Sequence, residues 1–264
     1  LTGDSTDAAL YVECARILAG RFTEGTGVTK SWNFLRNDWH YPVIIDNMMN
    51  LEILTKAAEI SGDSSLKDIA VRHARTTLNN HFREDWSCWH LVDYDPETGA
   101  VRSKETVQGY TDESSWARGQ AWALYGYTMM YRETGMEEFL EAARNIGNMI
   151  MDRLPEDGIP YWDFDDPAIP EALKDASAGA IMASAFIELS TLTGDNRYIE
   201  TARRQLLTLG SDEYLAKPGE NAGFLLKHGV GNIPGGTEID VPLSYADYYF
   251  LEALVRYSII SSEE

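Results

Sequence analysis

A short turn motif recurs along the chain between segments that have helical periodicity. Three copies contain Gly62, Gly135 and Gly194, and a first copy, "LTGD", contains Gly3 at the start of the sequence. Glycine often ends a helix, and an aspartate after it often caps the next one. The glycines are separated by 59, 73 and 59 residues, which is room for about two helices and their loops. The motif therefore predicts a series of helical hairpins, although Gly-Asp turns are common enough to recur by chance.

Two kinds of helix alternate in this series. An apolar segment precedes each turn and an amphipathic segment follows it, as expected for buried and half-exposed helices respectively. This alternation is typical of a two-layered α/α barrel in one domain, here over residues 1–264. The predicted helices cover 5–20, 43–60, 64–81, 114–134, 137–153, 174–193, 196–209 and 241–260.

The ends of the series do not form complete hairpins. Outer helix 5–20 has no inner helix before it, and inner helix 241–260 has no outer helix after it. Closing a ring of about six hairpins needs about twelve helices. We therefore expect that roughly the first hundred residues of the barrel are absent from this sequence and that the barrel is open on one side.

The connections between hairpins are far longer than the turns within them. They fall near 21–42, 82–113, 154–173 and 210–240, all at the end of the barrel that holds the N-termini of the inner helices. The loops and the first turns of helix 114–134 hold every tryptophan: Trp32, Trp39, Trp86, Trp89, Trp116, Trp122 and Trp162. Their placement favours a carbohydrate site at that end of the barrel, because indole rings stack on sugar faces. The alternative is that the tryptophans pack under the loops.

The charge balance argues against several classes of partner. A net charge of −20 disfavours nucleic acid and anionic membranes, which bind basic surfaces. No apolar run approaches the roughly 18 residues of a membrane span, so we expect no membrane partner. Cys14 and Cys88 form no disulfide framework, although the sequence allows a single bridge. No spacing typical of a metal site, phosphate loop or nucleophile elbow occurs, and we expect no cofactor.

Two charged residues in apolar helices are candidates for chemistry. Asp46 lies early in an inner segment, where desolvation would raise the pKa of its carboxyl and suit it to deliver a proton near neutral pH. The alternative is a structural aspartate that caps a loop or pairs with an arginine. Arg118 needs a partner in the first turn of helix 114–134, either a substrate carboxylate or a buried salt bridge.

Three more positions have predicted local roles. Thr111 or Asp112 is the expected N-cap of helix 114–134, and Asp175 is that of helix 174–193. His90 lies in the longest loop, where a lone histidine is either a structural hydrogen-bonding residue or part of a site.

Four segments together resemble one enzyme family. They are "YPVIIDNMMNLEIL", "VQGYTDESSWARGQAWALYG", "DASAGAI" and "EIDVPLSYADYYFLEALVR", and they resemble, in the same order, the unsaturated glucuronyl hydrolases of glycoside hydrolase family 88. The resemblance implies an all-α (α/α)6 barrel. It also implies a substrate left by polysaccharide lyases, with a 4,5-unsaturated uronic acid at the non-reducing end.

The resemblance also implies roles for individual residues. Asp46 would protonate C4 of the double bond and activate the water that adds at C5. His90 would bind substrate near the acid. A second essential aspartate of the family, in a His-Asp-x-Gly-type motif, has no counterpart in this sequence, so the site is expected to be incomplete. The remaining implied roles are contacts to the uronate and stacking, by Gln108, Arg118, Trp116, Trp122 and Trp32.

The leading hypothesis is therefore a hydrolase of unsaturated glycosaminoglycan disaccharides of the chondroitin or heparin type. The alternatives are an unsaturated rhamnogalacturonyl hydrolase acting on pectin fragments and a non-catalytic sugar-binding barrel. The family implies either the bacterial periplasm or the cytoplasm, and the sequence does not decide between them or predict an oligomeric state.

Overall fold

The computed structural model describes residues 5–33 and 39–262, which form helices and one small antiparallel sheet. The sheet has strand order β1-β2-β3. Its strands are β1 (Tyr41–Ile44), β2 (Leu91–Tyr94) and β3 (Val101–Glu105). The helices are α1 (Ser5–Ala19), α2 (Leu51–Ser61), α3 (Ser64–Asn80), α4 (Ala117–Thr134), α5 (Glu137–Arg153), α6 (Ala176–Thr193), α7 (Asn196–Leu209) and α8 (Ser244–Ser261).

The helices form two layers. Helices α2, α4, α6 and α8 pack against one another in chain order, while α3, α5 and α7 each pack on the inner helix that precedes them. Helix α1 packs on α2 from the outer layer. Helices α4 and α6 are buried on nearly every face, as inner helices require. This alternation confirms the predicted α/α barrel class.

The predicted turns are confirmed at three positions. Gly62, Gly135 and Gly194 end α2, α4 and α6 with φ of 73°, 68° and 71°, a left-handed conformation that glycine adopts without steric cost. Asp63 and Asp195 then cap α3 and α7, each by accepting a hydrogen bond from the N–H two residues later. The predicted first copy at 1–4 lies outside the described residues.

The prediction of one helix over 43–60 is wrong in its first part. Residues Tyr41–Ile44 form β1, residues Ile45–Asn50 form a 3₁₀ helix, and α2 begins only at Leu51. Strand β1 pairs with β2 from the following long loop, and such distant pairing leaves no trace in local periodicity. The sheet encloses a second small core of Val28, Tyr41, Val43, Val92 and Tyr94.

The start of α4 also differs from the prediction. Its N-cap position is Trp116, which makes no side-chain capping bond. Asp112 instead accepts a hydrogen bond from the Thr106 N–H, at 2.8 Å, within the preceding loop. The first turn of α4 is held instead by the loop after α5, since the Ala117 N–H donates to the Trp162 carbonyl at 3.0 Å.

Helix α8 is less buried than predicted. Only Ala246, Phe250 and Ala253 are buried, and Tyr248 and Val255 are 60% and 59% exposed. The prediction of an inner helix that is buried all round is therefore wrong for α8. Within the described chain, α8 packs on one side against α6 and α7 and leaves its other apolar face open.

Helix α6 corrects the expectation that no segment could span a membrane. It has 18 residues and a mean hydropathy of 1.3, so its length and composition are sufficient. However, 78% of it is buried inside the protein, as in the core helix of a helical bundle. Cys14 and Cys88 are both free thiols, so the bridge that the sequence allowed is not formed.

A network of charged side chains joins the four inner helices. Arg132 of α4 bonds Glu52 of α2 and Glu188 of α6, the latter at 2.7 Å. Arg256 of α8 contacts the other oxygen of Glu188 at 2.8 Å. Because Arg132 of α4 and Arg256 of α8 both bond Glu188 of α6, the network links these three helices to one another.

Two buried histidines on the inner side of α3 make stability depend on pH. His73 accepts a hydrogen bond from the Thr29 N–H, and His81 Nε2 donates to the Val43 carbonyl. Burial lowers the pKa of His73 to about 3 and that of His81 to about 4. Both side chains therefore stay neutral in the folded protein at pH values where the unfolded chain binds a proton.

We predict that His81→Gln makes this pH dependence shallower. Between about pH 6.5 and about 4, only the unfolded state protonates His81, so the native free energy of unfolding loses about 1.4 kcal/mol per pH unit at this residue. Chemical denaturation of both proteins between those pH values measures the difference. His40→Gln, at an exposed histidine, serves as the control. Equal slopes for His81→Gln and native protein would contradict the prediction.

Candidate active site

Asp46 lies in the 3₁₀ helix between β1 and α2, at the end of the barrel where the long loops meet. Its side chain is 27% exposed, but Oδ2 is buried and has no hydrogen-bond partner among the described residues. Burial raises the pKa of this carboxyl to about 6, opposed in part by Arg118, its own backbone N–H and the Trp122 indole. Asp46 can therefore hold a proton close to neutral pH, as the sequence predicted.

His90 faces Asp46 from the loop that precedes β2. Its Nε2 lies 3.7 Å from Asp46 Oδ2. Its Nδ1 accepts hydrogen bonds from the Val107 N–H at 3.1 Å and the Gln108 N–H at 3.3 Å. Since Nδ1 is an acceptor, the ring proton lies on Nε2 and points toward Asp46. Burial and Arg118 lower the pKa of His90 to about 3, so it is a neutral N–H donor.

Arg118 lies in the first turn of α4 with its side chain 3% exposed. Nη1 donates to Asp175 Oδ2 at 3.1 Å and to the Val230 carbonyl at 2.5 Å, while Nη2 donates to the Gly231 carbonyl at 2.7 Å. The structure therefore contains the buried salt bridge that was one of the two predicted partners. A guanidinium has five N–H groups, so two of them are not used by the described residues and can bind a ligand carboxylate.

Aromatic rings surround the Arg118 guanidinium. Its carbon lies 4.4 Å from the centre of the Trp116 ring and 5.4 Å from that of Tyr245. Trp116 also packs against the His90 ring, with centroids 4.5 Å apart. Trp122 packs on Tyr245 with centroids 6.1 Å apart. Trp116 and Trp122 thus lie beside the charged residues.

Gln108 and Trp32 are positioned less directly. The Gln108 side-chain amide donates to the Gly231 carbonyl at 2.9 Å, the carbonyl that Arg118 also binds. Trp32 packs against Trp39, with ring centroids 5.7 Å apart. The residue before Trp32, Ser31, bonds Asn47, the residue after Asp46, so the two segments are neighbours. The structure therefore brings five of the seven predicted residues together and places Gln108 and Trp32 at the edge of the cluster.

The other tryptophans support the packing alternative as well. Trp39 and Trp162 are each 3% exposed and donate from Nε1 to Glu105 and Asp166 respectively. Trp89 lies between two cations, with the Arg83 and Lys104 charges 4.2 and 3.8 Å from its ring centre. Trp39, Trp89 and Trp162 of the long loops therefore pack the loops, whereas Trp116 and Trp122, at the start of α4, lie beside the candidate site.

Sequence reasoning missed several groups in the site. Asp175 was predicted only as a helix cap, and no role was assigned to Tyr245, although each lies in a segment of the family resemblance. Val230 and Gly231 contribute backbone carbonyls, which leave no side-chain signal in the sequence.

The arrangement suits acid chemistry on an anionic ligand. A carboxyl that can hold a proton at neutral pH faces a neutral N–H donor, and a buried cation with two unused N–H groups lies nearby. Trp116 and Trp122 are only 2% and 8% exposed, so their rings pack around the charged groups and leave little indole surface open. These features are those of a general acid beside a site for a negatively charged sugar.

We predict that Asp46→Asn stabilises the folded protein at pH 7.5. The native carboxyl has a pKa of about 6 when folded and an ordinary value of 3.8, so its ionisation disfavours folding above about pH 4. Removing the charge should increase the free energy of unfolding by about 2–3 kcal/mol at pH 7.5 and have little effect at pH 3.5. Glu59→Gln, at an exposed carboxylate of α2, is the control. Destabilisation by Asp46→Asn at pH 7.5 would refute this account.

We also predict one tautomer for His90. Because two backbone N–H groups point at Nδ1, nitrogen-15 NMR should show a protonated Nε2 and an unprotonated Nδ1 throughout about pH 5 to 8. The His90→Gln variant identifies the signal by its loss. A protonated Nδ1 in this range would show that the loop does not hold the ring as described.

The chain is similar to several known proteins. Residues 9–256 match Glycosyl Hydrolase Family 88. The chain is 49% identical over 249 residues to an unsaturated glucuronyl hydrolase of Formosa agariphila, covering 94% of this chain and 62% of that protein. It is 34% identical over 260 residues to an unsaturated chondroitin disaccharide hydrolase of Streptococcus pyogenes serotype M1, covering 97% of this chain and 65% of that protein.

A solved structure is similarly close. The crystal structure of an unsaturated glucuronyl hydrolase specific for heparin superposes with a TM-score of 0.97 at 48% identity, covering 99% of this chain and 71% of that one. The chain thus spans less than two thirds of the length of the two curated relatives and nearly three quarters of this structure.

Proposed function

The chain belongs to Glycosyl Hydrolase Family 88, and on that basis we propose that it acts as an unsaturated glucuronyl hydrolase. Its substrates would be disaccharides that lyases release from glycosaminoglycans of the chondroitin or heparin type. Its relatives include an unsaturated chondroitin disaccharide hydrolase and an unsaturated glucuronyl hydrolase specific for heparin. Their specificities support this substrate class.

The observation that carries the proposal is the environment of Asp46. Its carboxyl has a pKa of about 6, lies 3.7 Å from a neutral N–H donor and feels the charge of Arg118. A purely sugar-binding site has no need of a carboxyl that changes charge near neutral pH. The site therefore favours catalysis over binding alone.

The reaction begins with the protonated form of Asp46. Its proton is transferred to C4 of the 4,5-double bond, and the positive charge that forms at C5 is shared with the ring oxygen. The resulting Asp46 carboxylate then takes a proton from the water that adds at C5. The hemiketal so formed opens by cleavage of the bond between C5 and the ring oxygen, which leaves a hemiacetal at C1. That hemiacetal breaks down to an aldehyde and releases the second sugar, and Asp46 is again protonated for the next cycle.

The neighbouring residues would bind and orient the substrate. The unused N–H groups of Arg118 suit the planar carboxylate of the uronic acid in a bidentate arrangement. His90 keeps its Nε2–H directed toward the carboxylate that Asp46 becomes. Stacking of Trp116 and Trp122 on the sugar would use the small part of each ring that is exposed, 2% and 8% respectively.

We predict loss of the ultraviolet absorbance of the 4,5-double bond when the full gene product meets unsaturated chondroitin or heparin disaccharides. Asp46→Asn should lower the rate at least about a thousandfold, since it removes the general acid. Glu59→Gln should retain the native rate. The native rate should fall about tenfold per pH unit above about pH 6, because the fraction of protonated Asp46 falls in that proportion.

The same assay separates the alternatives. Activity confined to pectin-derived unsaturated disaccharides would favour rhamnogalacturonyl specificity. Folded native protein that leaves the absorbance unchanged on every substrate, while still binding the disaccharides, would favour a non-catalytic sugar-binding barrel.

A further inference from the structure

Asp175 makes more contacts than a helix cap requires. It is fully buried at the N-terminus of α6. Oδ1 accepts from the Ser177 N–H at 3.0 Å, the Ser177 hydroxyl at 2.6 Å and the Val230 N–H at 3.1 Å. Oδ2 accepts from Arg118 Nη1 at 3.1 Å. One carboxylate therefore connects the start of α6, the start of α4 and a distant loop.

That loop is a hairpin over residues 228–241, which we term the rim hairpin. Its two arms meet at the bridges Gly229↔Val241 and Asn232↔Thr237. The Ala176 N–H donates to the His228 carbonyl at 3.0 Å, next to the bond from the Val230 N–H to Asp175. The base of the rim hairpin is thus attached to the N-terminus of α6.

Arg118 binds the acceptor side of the same segment. The Val230 peptide donates to Asp175 from its N–H and accepts from Arg118 at its carbonyl. The Gly231 carbonyl accepts from both Arg118 and Gln108. Because Asp175 and Arg118 also bond each other, the three contacts form a closed ring that leaves Arg118 little freedom to reorient.

The negative charge of Asp175 lies beside the cation that Asp46 faces. The groups around Asp46 are Arg118 and Trp122 of α4, His90 of the loop before β2, and the phenol of Tyr245 of α8. The buried Cys88 thiol is also near enough to feel the Asp46 charge. Among the described residues, Asp175 is the carboxylate bonded to Arg118, so it offsets the positive charge that Asp46 faces.

We propose that Asp175 is a positioning residue of this site. It holds the Arg118 guanidinium and the base of the rim hairpin as one unit, and its charge limits the field that Arg118 exerts on Asp46. The kinetic consequence rests on the proposed function, whereas the electrostatic consequence does not.

The test compares Asp175→Asn with Asp63→Asn. Asp63 caps α3 with the same geometry, since its Oδ1 accepts from the Ser65 N–H at 3.2 Å and the Ser65 hydroxyl at 2.6 Å, but it lies on an exposed turn. Asparagine keeps the capping oxygen in both variants and removes the charge. The matched pair therefore separates the Arg118 contact from helix capping.

The first readout needs no substrate. Carbon-13 NMR follows the Asp46 carboxyl through a pH titration, with Asp46→Asn identifying its signal. In Asp175→Asn the midpoint should fall by about one pH unit, because the Arg118 charge is no longer offset. In Asp63→Asn it should not move. An unchanged midpoint in Asp175→Asn, or an equal shift in both variants, would overturn the proposal.

The second readout is kinetic. At pH 7, Asp175→Asn should lower kcat about tenfold through the smaller protonated fraction of Asp46, and the fall of rate with pH should begin about one unit lower. In an Arg118→Gln background, Asp175→Asn should no longer change KM, because the guanidinium that Asp175 holds in place is absent. A change in KM that persists in the Arg118→Gln background would show that Asp175 does not position Arg118.

Two other results are also informative, namely a variant that does not fold and a native protein that has no hydrolase activity. If Asp175→Asn does not fold by circular dichroism, Asp175→Ser retains a capping oxygen without charge and must give the same lowered midpoint, or the proposal fails. If the native protein hydrolyses no unsaturated disaccharide, the proposed function fails, and the NMR titration alone decides the role of Asp175.

Discussion

The ion pair between Arg118 and Asp175 lies where two inner helices begin, and the candidate site is assembled around it. Both side chains are almost completely removed from water, at 3% and 0% exposure, so neither charge could be buried without the other. The pair holds the guanidinium against the Trp116 ring and fixes the adjoining hairpin. Burial is the main cause of the shifted pKa values of Asp46 and His90, and the charge of Arg118 acts on both side chains as well.

Local sequence patterns were sufficient for the helical scaffold. The turn glycines could be recognised because left-handed backbone strongly favours glycine, and the helices could be recognised because apolar and charged residues alternate with helical period. Strand β1 could not be found in this way. Its residues are as apolar as those of the helix that follows, and only pairing with β2, about fifty residues later, makes them extended.

The candidate site was predictable where a charged side chain lies in an otherwise apolar segment. Asp46 and Arg118 stood out because a charge in an apolar helix needs a reason, and both lie at the site. Their partners were harder to find. Asp175 resembled an ordinary cap, and the carbonyls of Val230 and Gly231 belong to a loop more than a hundred residues from Arg118 along the chain. The identities of the groups were thus accessible to sequence, and their connections were not.

The segment after β3 holds His90 mainly through its backbone. The peptide N–H groups of Val107 and Gln108 donate to Nδ1, and every amino acid except proline carries such a group, while the Thr106 hydroxyl lies 3.4 Å from the same nitrogen. The orientation of the ring is therefore insulated from side-chain replacement at position 107. The side chain at position 107 can therefore change while His90 continues to present the same nitrogen to Asp46.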